Sequence, residues 1–248
     1  MVMRWKRELD LATQAALAAA GLLRESFSRD AGVRQREGKD IKTRADVEAE
    51  ALILQALAPS GLPLIAEETA NQGQQPAGAH WLIDPLDGTM NFSRKFPMHA
   101  VSIGLWTGNQ PILGVIADIS RNSLYSGVVG QGAQCDQTPI RVSAVAERSQ
   151  AILTTGFPTG RSYGSEALTT FVSRVQAFKK IRMIGSAAMS LAMVAQGSFE
   201  LYFEEDVMLW DVGAGLALVL AAGGRIEMRP GTKPLSVVVC ASNGLVSL

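Results

Sequence analysis

Apolar residues between Trp5 and Leu23 recur at the three- and four-residue spacing of an amphipathic helix, and a second helical segment runs from Asp46 to Leu57. The polar stretch from Ser28 to Arg44 between them is expected to be a mobile connection. Leu62 to Ala66 reads as a short strand that delivers Glu67 and Glu68 to its end. A Gln/Gly/Pro loop then covers Asn71 to Ala79, and Trp81-Leu82-Ile83 begins another apolar strand. Apolar and polar residues alternate from Ala100 to Trp106, and turn signals at Gly108-Asn109 and Arg121-Asn122 separate further strands, which predicts an antiparallel meander. Beyond about Arg141 strands and helices alternate: a strand over Ala151 to Thr155, a helix near Glu166 to Phe178, a strand over Ile181 to Ile184, and a helix after Ser186. By itself this pattern predicts a mixed α and β protein whose second lobe carries a mixed sheet.

A chain of 248 residues with 47% hydrophobic content can bury a large core. Its formal net charge is zero, which gives no excess of Lys and Arg for a nucleic-acid backbone or an anionic membrane. Cys135 and Cys240 are far apart and lack metal-ligand spacing, so a reducing compartment is the natural expectation. Arg4, Lys6 and Arg7 superficially resemble the start of an export signal. Glu8 and Asp10 interrupt the apolar region such a signal needs, and no apolar run reaches the ~20 residues of a membrane span. The expectation is a cytoplasmic protein with no membrane partner.

The most informative segment is Asp84-Pro85-Leu86-Asp87-Gly88-Thr89. Two carboxylates three residues apart, a hydroxyl and free backbone groups form a compact all-oxygen cluster suited to a hard divalent cation such as Mg²⁺. Pro85 fixes φ between the acids, and Gly88 permits a backbone geometry strained for other residues. An ordinary Asp-Gly turn would account for the hexapeptide alone. Glu67-Glu68 upstream and Trp210-Asp211-Val212-Gly213-Ala214-Gly215 downstream add further acids. Asp211 alone reads first as a helix N-cap, and Asp46 as an acid favoured by the helix dipole.

Together these segments resemble the inositol monophosphatase family, Mg²⁺-dependent and lithium-sensitive phosphatases of the fructose-1,6-bisphosphatase-like superfamily. The resemblance rests on Thr43-Arg44-Ala45-Asp46, Ala66-Glu67-Glu68-Thr69, the run from Trp81 to Phe92, Gly185-Ser186-Ala187-Ala188 and Trp210 to Gly215, and covers nearly the whole chain. It implies a layered αβαβα sandwich with an N-terminal α+β lobe over residues 1–140 and a C-terminal α/β lobe over 141–248, a homodimer, and a site between the two lobes that holds two or three Mg²⁺ ions. By position, it makes Glu67, Asp84, the Leu86 carbonyl, Asp87 and Asp211 the metal ligands. Glu67 and Thr89, with Asp46 oriented toward the Thr hydroxyl, become the water-activating group, and Gly88 and Thr89 the phosphate cradle. Gly185, Ser186 and Ala187 would line the alcohol side, where Ser186 equally reads as a helix N-cap. Glu204, seven residues before Asp211, would bind substrate hydroxyls, although Glu204-Glu205-Asp206 also reads as a solvated acidic loop.

The implied activity is hydrolysis of inositol monophosphate or a similar small sugar or polyol phosphate. The alternatives on the same scaffold are a 3′(2′),5′-bisphosphate nucleotidase, a fructose-1,6-bisphosphatase or a histidinol phosphatase. A non-catalytic binding protein that keeps the fold is the alternative from another class. Asn91-Phe92 after the acidic turn is closer to the inositol-phosphatase branch than to the nucleotidase branch, whereas Lys42, Met90 and Glu205-Asp206 depart from the family's usual residues.

Overall fold

Small side chains set the first layer. In a computed structural model of the chain, which describes residues 4–28, 33–37, 40–69, 75–157 and 164–248, helix α1 (Lys6–Ser28) buries Ala12, Ala15, Ala16, Ala19, Ala20 and Leu23 along one stripe. The alanines let it lie close to α2 (Arg44–Leu57), which buries Ala45, Ala49, Ile53 and Leu57. Both helices cover one face of a seven-stranded sheet. Its strands are β3 (Leu64–Ala66), β4 (Ala79–Asp87), β5 (Ala100–Thr107), β6 (Gln110–Asp118), β7 (Ser123–Val128), β8 (Gly132–Cys135) and β9 (Thr138–Ile140), neighbours in that order. The β3–β4 pair is parallel and the rest is the expected antiparallel meander. Within the polar stretch between the two helices, β1 (Val33–Glu37) and β2 (Asp40–Thr43) pair antiparallel, so a ribbon stands where a mobile connection was expected; residues 29–32 and 38–39 of that stretch lie outside the described residues. Of the expected loop from Asn71 to Ala79, residues 71–74 also lie outside them.

The opposite face of this sheet meets α5 (Ala187–Ala195) and α6 (Leu209–Ala221), which is why β4 is apolar on both sides. Trp81 and Ile83 join the core under α1 and α2, while Leu82 joins the core around α5 and α6. A fully buried side chain of this size contributes roughly 1.5–3 kcal/mol. Helix α6 touches the sheet backbone directly. A Cβ at Gly114 would lie 2.0 Å from the Ala214 carbonyl oxygen, and one at Gly104 2.8 Å from the Ala214 nitrogen. The Trp106 indole N–H donates to the Gly213 carbonyl at 3.0 Å. The depth of α6 is thereby fixed.

The far side of α5 and α6 carries a five-stranded mixed sheet made of β10 (Ile152–Thr155), β11 (Lys180–Arg182), β12 (Leu201–Met208), β13 (Arg225–Pro230) and β14 (Ser236–Ser242), in the order β11-β10-β12-β14-β13. Helix α4 (Ser165–Gln176) lies on its outer face, after the short α3 (Thr89–Ser93) in chain order. Val175, Phe178, Leu153 and Leu201 form the core there. The layers are therefore α1/α2, sheet, α5/α6, sheet, α4: the expected αβαβα sandwich. Strand β12 departs from the sequence reading, because Glu204 to Asp206 belong to a strand rather than a solvated loop. Tyr202 and Phe203 pair with β14, and the irregularity between Glu204 and Val207 absorbs the two remaining acids. Asp206 has φ of 57° there, as a bulge requires.

Candidate metal centre

Strand β4 loses its regular pairing with β5 between Asp84 and Asp87, where Pro85 has no N–H to give. Asp84 Oδ1 accepts the Leu86 N–H at 2.9 Å and shapes this bulge from inside. Gly88 then turns the chain into α3 with φ of 84°, and a Cβ on it would stand 2.8 Å from the Met98 carbonyl oxygen. Both the angle and the space require glycine. The Thr89 hydroxyl donates to the Leu86 carbonyl at 3.0 Å. Its proton is thus directed to Leu86, and Asp46 is buried in the first turn of α2.

The other acids arrive from separate elements. Glu67 follows β3, its N–H donating to the Ile83 carbonyl at 3.1 Å. Asp211 occupies the third position of α6 and accepts the Met208 N–H at 3.3 Å, so Met208, not Asp211, is the N-cap. Ser186 does cap α5, accepting the Met189 N–H at 3.2 Å. The Ser186 hydroxyl also donates to Asp87, which further accepts the N–H groups of Ala188 at 2.8 Å and Ala187 at 3.3 Å. The proposed alcohol-side segment is thus tied to the acidic turn. Gly185, with φ of 69°, stands beside Asn91, whose side-chain amide donates to the carbonyls of Met98 and Ile184, each at 2.7 Å.

Burial is the largest influence on Asp84, Asp87, Asp211 and Glu204. It pushes Asp84 well above the carboxylate range, and the neighbouring charges of Glu67, Asp87 and Asp211 push it further. Asp211 is raised by burial and then by Glu67, Asp87 and Glu204. Asp87 rises to about 6, burial outweighing the Ser186 hydroxyl and the α5 amides that favour its charge. Glu204 rises to about 7 through burial, against the opposing bond from the Tyr202 hydroxyl at 2.9 Å. Asp84 and Asp211 each therefore lie close enough to Glu67 and Asp87 for those charges to oppose their ionisation. Protons relieve that repulsion, and so would a hard divalent cation, which the all-oxygen donor set suits.

Among the described residues, no three His, Cys, Asp or Glu side chains already stand in a ligand arrangement. The hydrogen bonds account for this. Asp87 faces the start of α5, one oxygen each of Asp84 and Asp211 holds a backbone N–H, and the Leu86 carbonyl receives Thr89.

A family model described as the inositol monophosphatase family matches residues 5–247. The chain belongs to the inositol monophosphatase family. It is 36% identical over 232 residues to an inositol-1-monophosphatase of Synechocystis sp., covering 88% of this chain and 78% of that relative. It is 34% identical over 224 residues to a protein of Escherichia coli named Nus factor SuhB, covering 88% and 84%. The solved inositol monophosphatase of Anabaena (Nostoc) sp. superposes with a TM-score of 0.84 at 33% identity, covering 98% of this chain and 93% of that one. Among the described residues no helix is long and apolar enough to cross a membrane.

Two residues of this inositol monophosphatase family member escaped the sequence reading. Glu50 is buried in α2, and its Oε2 accepts the Glu68 N–H at 2.8 Å, pinning the segment that carries Glu67. Its signal was present in the sequence: Asp46 and Glu50 stand four apart on the face that also buries Ala45, Ala49 and Ile53. Tyr202, two residues before Glu204 on the same side of β12, bonds its carboxylate.

Proposed function

We propose that the protein is a Mg²⁺-dependent phosphomonoesterase hydrolysing inositol monophosphate or a similar small sugar or polyol phosphate. The observation that carries this reading is the convergence of Glu67, Asp84, Asp87 and Asp211, from three parts of the chain, into one cluster in which burial and mutual repulsion raise Asp84 and Asp211 together. Glu67, Asp84, the Leu86 carbonyl, Asp87 and Asp211 would hold two or three Mg²⁺ ions. Bound there, the ions would supply charge neutralisation and Lewis-acid activation of water and ester oxygen.

The chain's own groups do the rest. Glu67 accepts the proton of the attacking water, while Thr89, released from Leu86 and oriented by Asp46, positions it. The N–H groups of Gly88 and Thr89, at the start of a helix without a side-chain cap, hold phosphate oxygens. Gly185, Ser186 and Ala187 line the alcohol side, and Glu204 accepts hydrogen bonds from substrate hydroxyls. The protein acts as a cytoplasmic homodimer in this reading.

The name Nus factor on one relative favours a second reading, in which the fold serves a macromolecular partner. Phosphate release from a panel of inositol, fructose, histidinol and nucleotide phosphates, with Mg²⁺ and with chelator, separates the two. Chelator-sensitive release from at least one ester supports the enzyme, and release from none supports the binding protein.

A further inference from the structure

On the outer face of the five-stranded sheet, beside α4, lies a cavity of about 640 Å³, a size suited to a small organic molecule. Its floor is apolar: Phe203, Val238 and Cys240 project from neighbouring strands, with Phe203 paired to Cys240 in register. Its rim is cationic. Arg225 and Arg229 alternate with Glu227 along the outward side of edge strand β13, and Arg174 comes from α4 opposite them. Glu227 pairs with Arg225 at 3.0 Å. Among the described residues neither Arg174 nor Arg229 has a carboxylate partner; Arg174 lies 5.1 Å from the centre of the Phe203 ring.

The remaining wall is pre-built. Residues 244–248 close the cavity, and Asn243 holds them in place. Its side-chain oxygen accepts the N–H groups of Leu245 and Val246, each at 3.0 Å, and its amide donates to the carbonyls of Ser143 and Val145. Arg148 donates to the Ser247 hydroxyl at 3.0 Å and a Leu248 oxygen at 2.5 Å. Arg148 is therefore engaged by Ser247 and Leu248, whereas Arg174 and Arg229 face the cavity.

We propose that this cavity binds a small amphipathic organic anion, its apolar body over Phe203, Val238 and Cys240 and its carboxylate, sulfonate or phosphate head between Arg174 and Arg229. An apolar floor drives burial of the body, and guanidinium groups without internal partners select the anionic head. The proposal is independent of the phosphatase reading, because none of these residues belongs to the acidic cluster. Arg174 and Phe203 also line a smaller neighbouring cavity that contains Glu204.

The probe is 8-anilinonaphthalene-1-sulfonate, an aromatic sulfonate, titrated into the full-length folded protein by fluorescence. Cys240 in the cavity and Cys135 in β8 supply an internal comparison. Saturable binding at one site should slow maleimide labelling of Cys240 and leave Cys135 unchanged. The Arg174→Gln/Arg229→Gln variant should bind about tenfold or more weakly, as expected for lost charge-assisted contacts, with an unchanged melting temperature. Wild-type protection of Cys240 stands as evidence if that variant melts early. Unaltered labelling of Cys240 at saturating probe, or equal affinity in a well-folded variant, would overturn the proposal.

Discussion

The Asp87 carboxylate accepts the Ala188 N–H at 2.8 Å, joining the acidic turn to the start of α5 across 101 residues of chain. Ser186 reinforces that junction from both sides, capping α5 and donating its hydroxyl to the same carboxylate. Ser186→Ala should lower stability by about 0.5–2 kcal/mol, the usual cost of a lost N-cap. It should also raise Asp87 above its value of about 6, moving the acid limb of the pH–rate profile upward. Ser186→Thr, which keeps the hydroxyl, should restore both. An unmoved acid limb in Ser186→Ala would separate Asp87 from the pH dependence.

Metal removal should change how stability responds to pH. Asp87 moves from an ordinary value of 3.8 to about 6 in the fold, and Glu204 from 4.5 to about 7; Asp84 and Asp211 are raised as well. A group that binds its proton more tightly when folded contributes its stability fully below the unfolded value. It loses that contribution as pH rises through the folded one. With chelator present, the melting temperature should therefore fall between about pH 4 and pH 7 as these acids ionise. Mg²⁺ should recover the loss at the upper end. Thermal melts across pH, with EDTA and with Mg²⁺, read both effects, and superimposable curves would contradict cation binding at the cluster.

Glu50 touches no reacting atom in this account, yet it fixes the Glu67 segment through the Glu68 N–H. Glu50→Ala leaves that donor without its acceptor and should destabilise the protein by about 1–3 kcal/mol. Turnover should fall with KM little changed. Glu50→Gln retains an acceptor oxygen and should rescue turnover. Failure of the glutamine to rescue would show that the charge of Glu50, rather than its bond to Glu68, matters.

Glu204 and Gly156 should act as a pair. A Cβ at Gly156 would stand 2.6 and 2.7 Å from the two Glu204 carboxylate oxygens, so Gly156→Ala displaces the side chain that Glu204→Gln neutralises. Both variants should lose kcat/KM on inositol phosphate by a factor matching one charge-assisted hydrogen bond, about 1.5–3 kcal/mol. An aryl phosphate lacking those hydroxyls should be hydrolysed nearly as before. Equal losses on both substrates would place Glu204 in support of the metal cluster instead.

Local chemistry made the larger features legible in the sequence. The turn from Asp84 to Gly88 carries its own geometric constraints in Pro85 and Gly88, and the alternation from Ala100 to Trp106 marks a strand directly. The αβαβα layering was legible only through family resemblance, because periodicity cannot say which sheet α6 faces. That contact depends on Gly104 and Gly114 meeting Ala214, 110 and 100 residues later in the chain. The acidic run at Glu204 left a solvated loop open as the competing reading for a related reason. Three charged residues look solvated, but Tyr202 and the β14 pairing draw the first of them inward and leave the bulge to the others. Asp211 looked like an N-cap because its helix start is visible in sequence, whereas its position three residues past the cap depends on where β12 ends.

The most direct test of the central claim is inorganic phosphate release from inositol 1-phosphate by chelator-stripped protein during a Mg²⁺ titration, wild type beside Asp84→Asn. Asp84 is the acid on which Glu67, Asp87 and Asp211 all act. Wild type should be inactive without metal and recover as Mg²⁺ is added, while Asp84→Asn stays nearly inactive at saturating Mg²⁺ with its melting transition intact. Turnover that survives chelation, or near-wild-type turnover by well-folded Asp84→Asn, would contradict the assignment of this cluster as a catalytic metal centre.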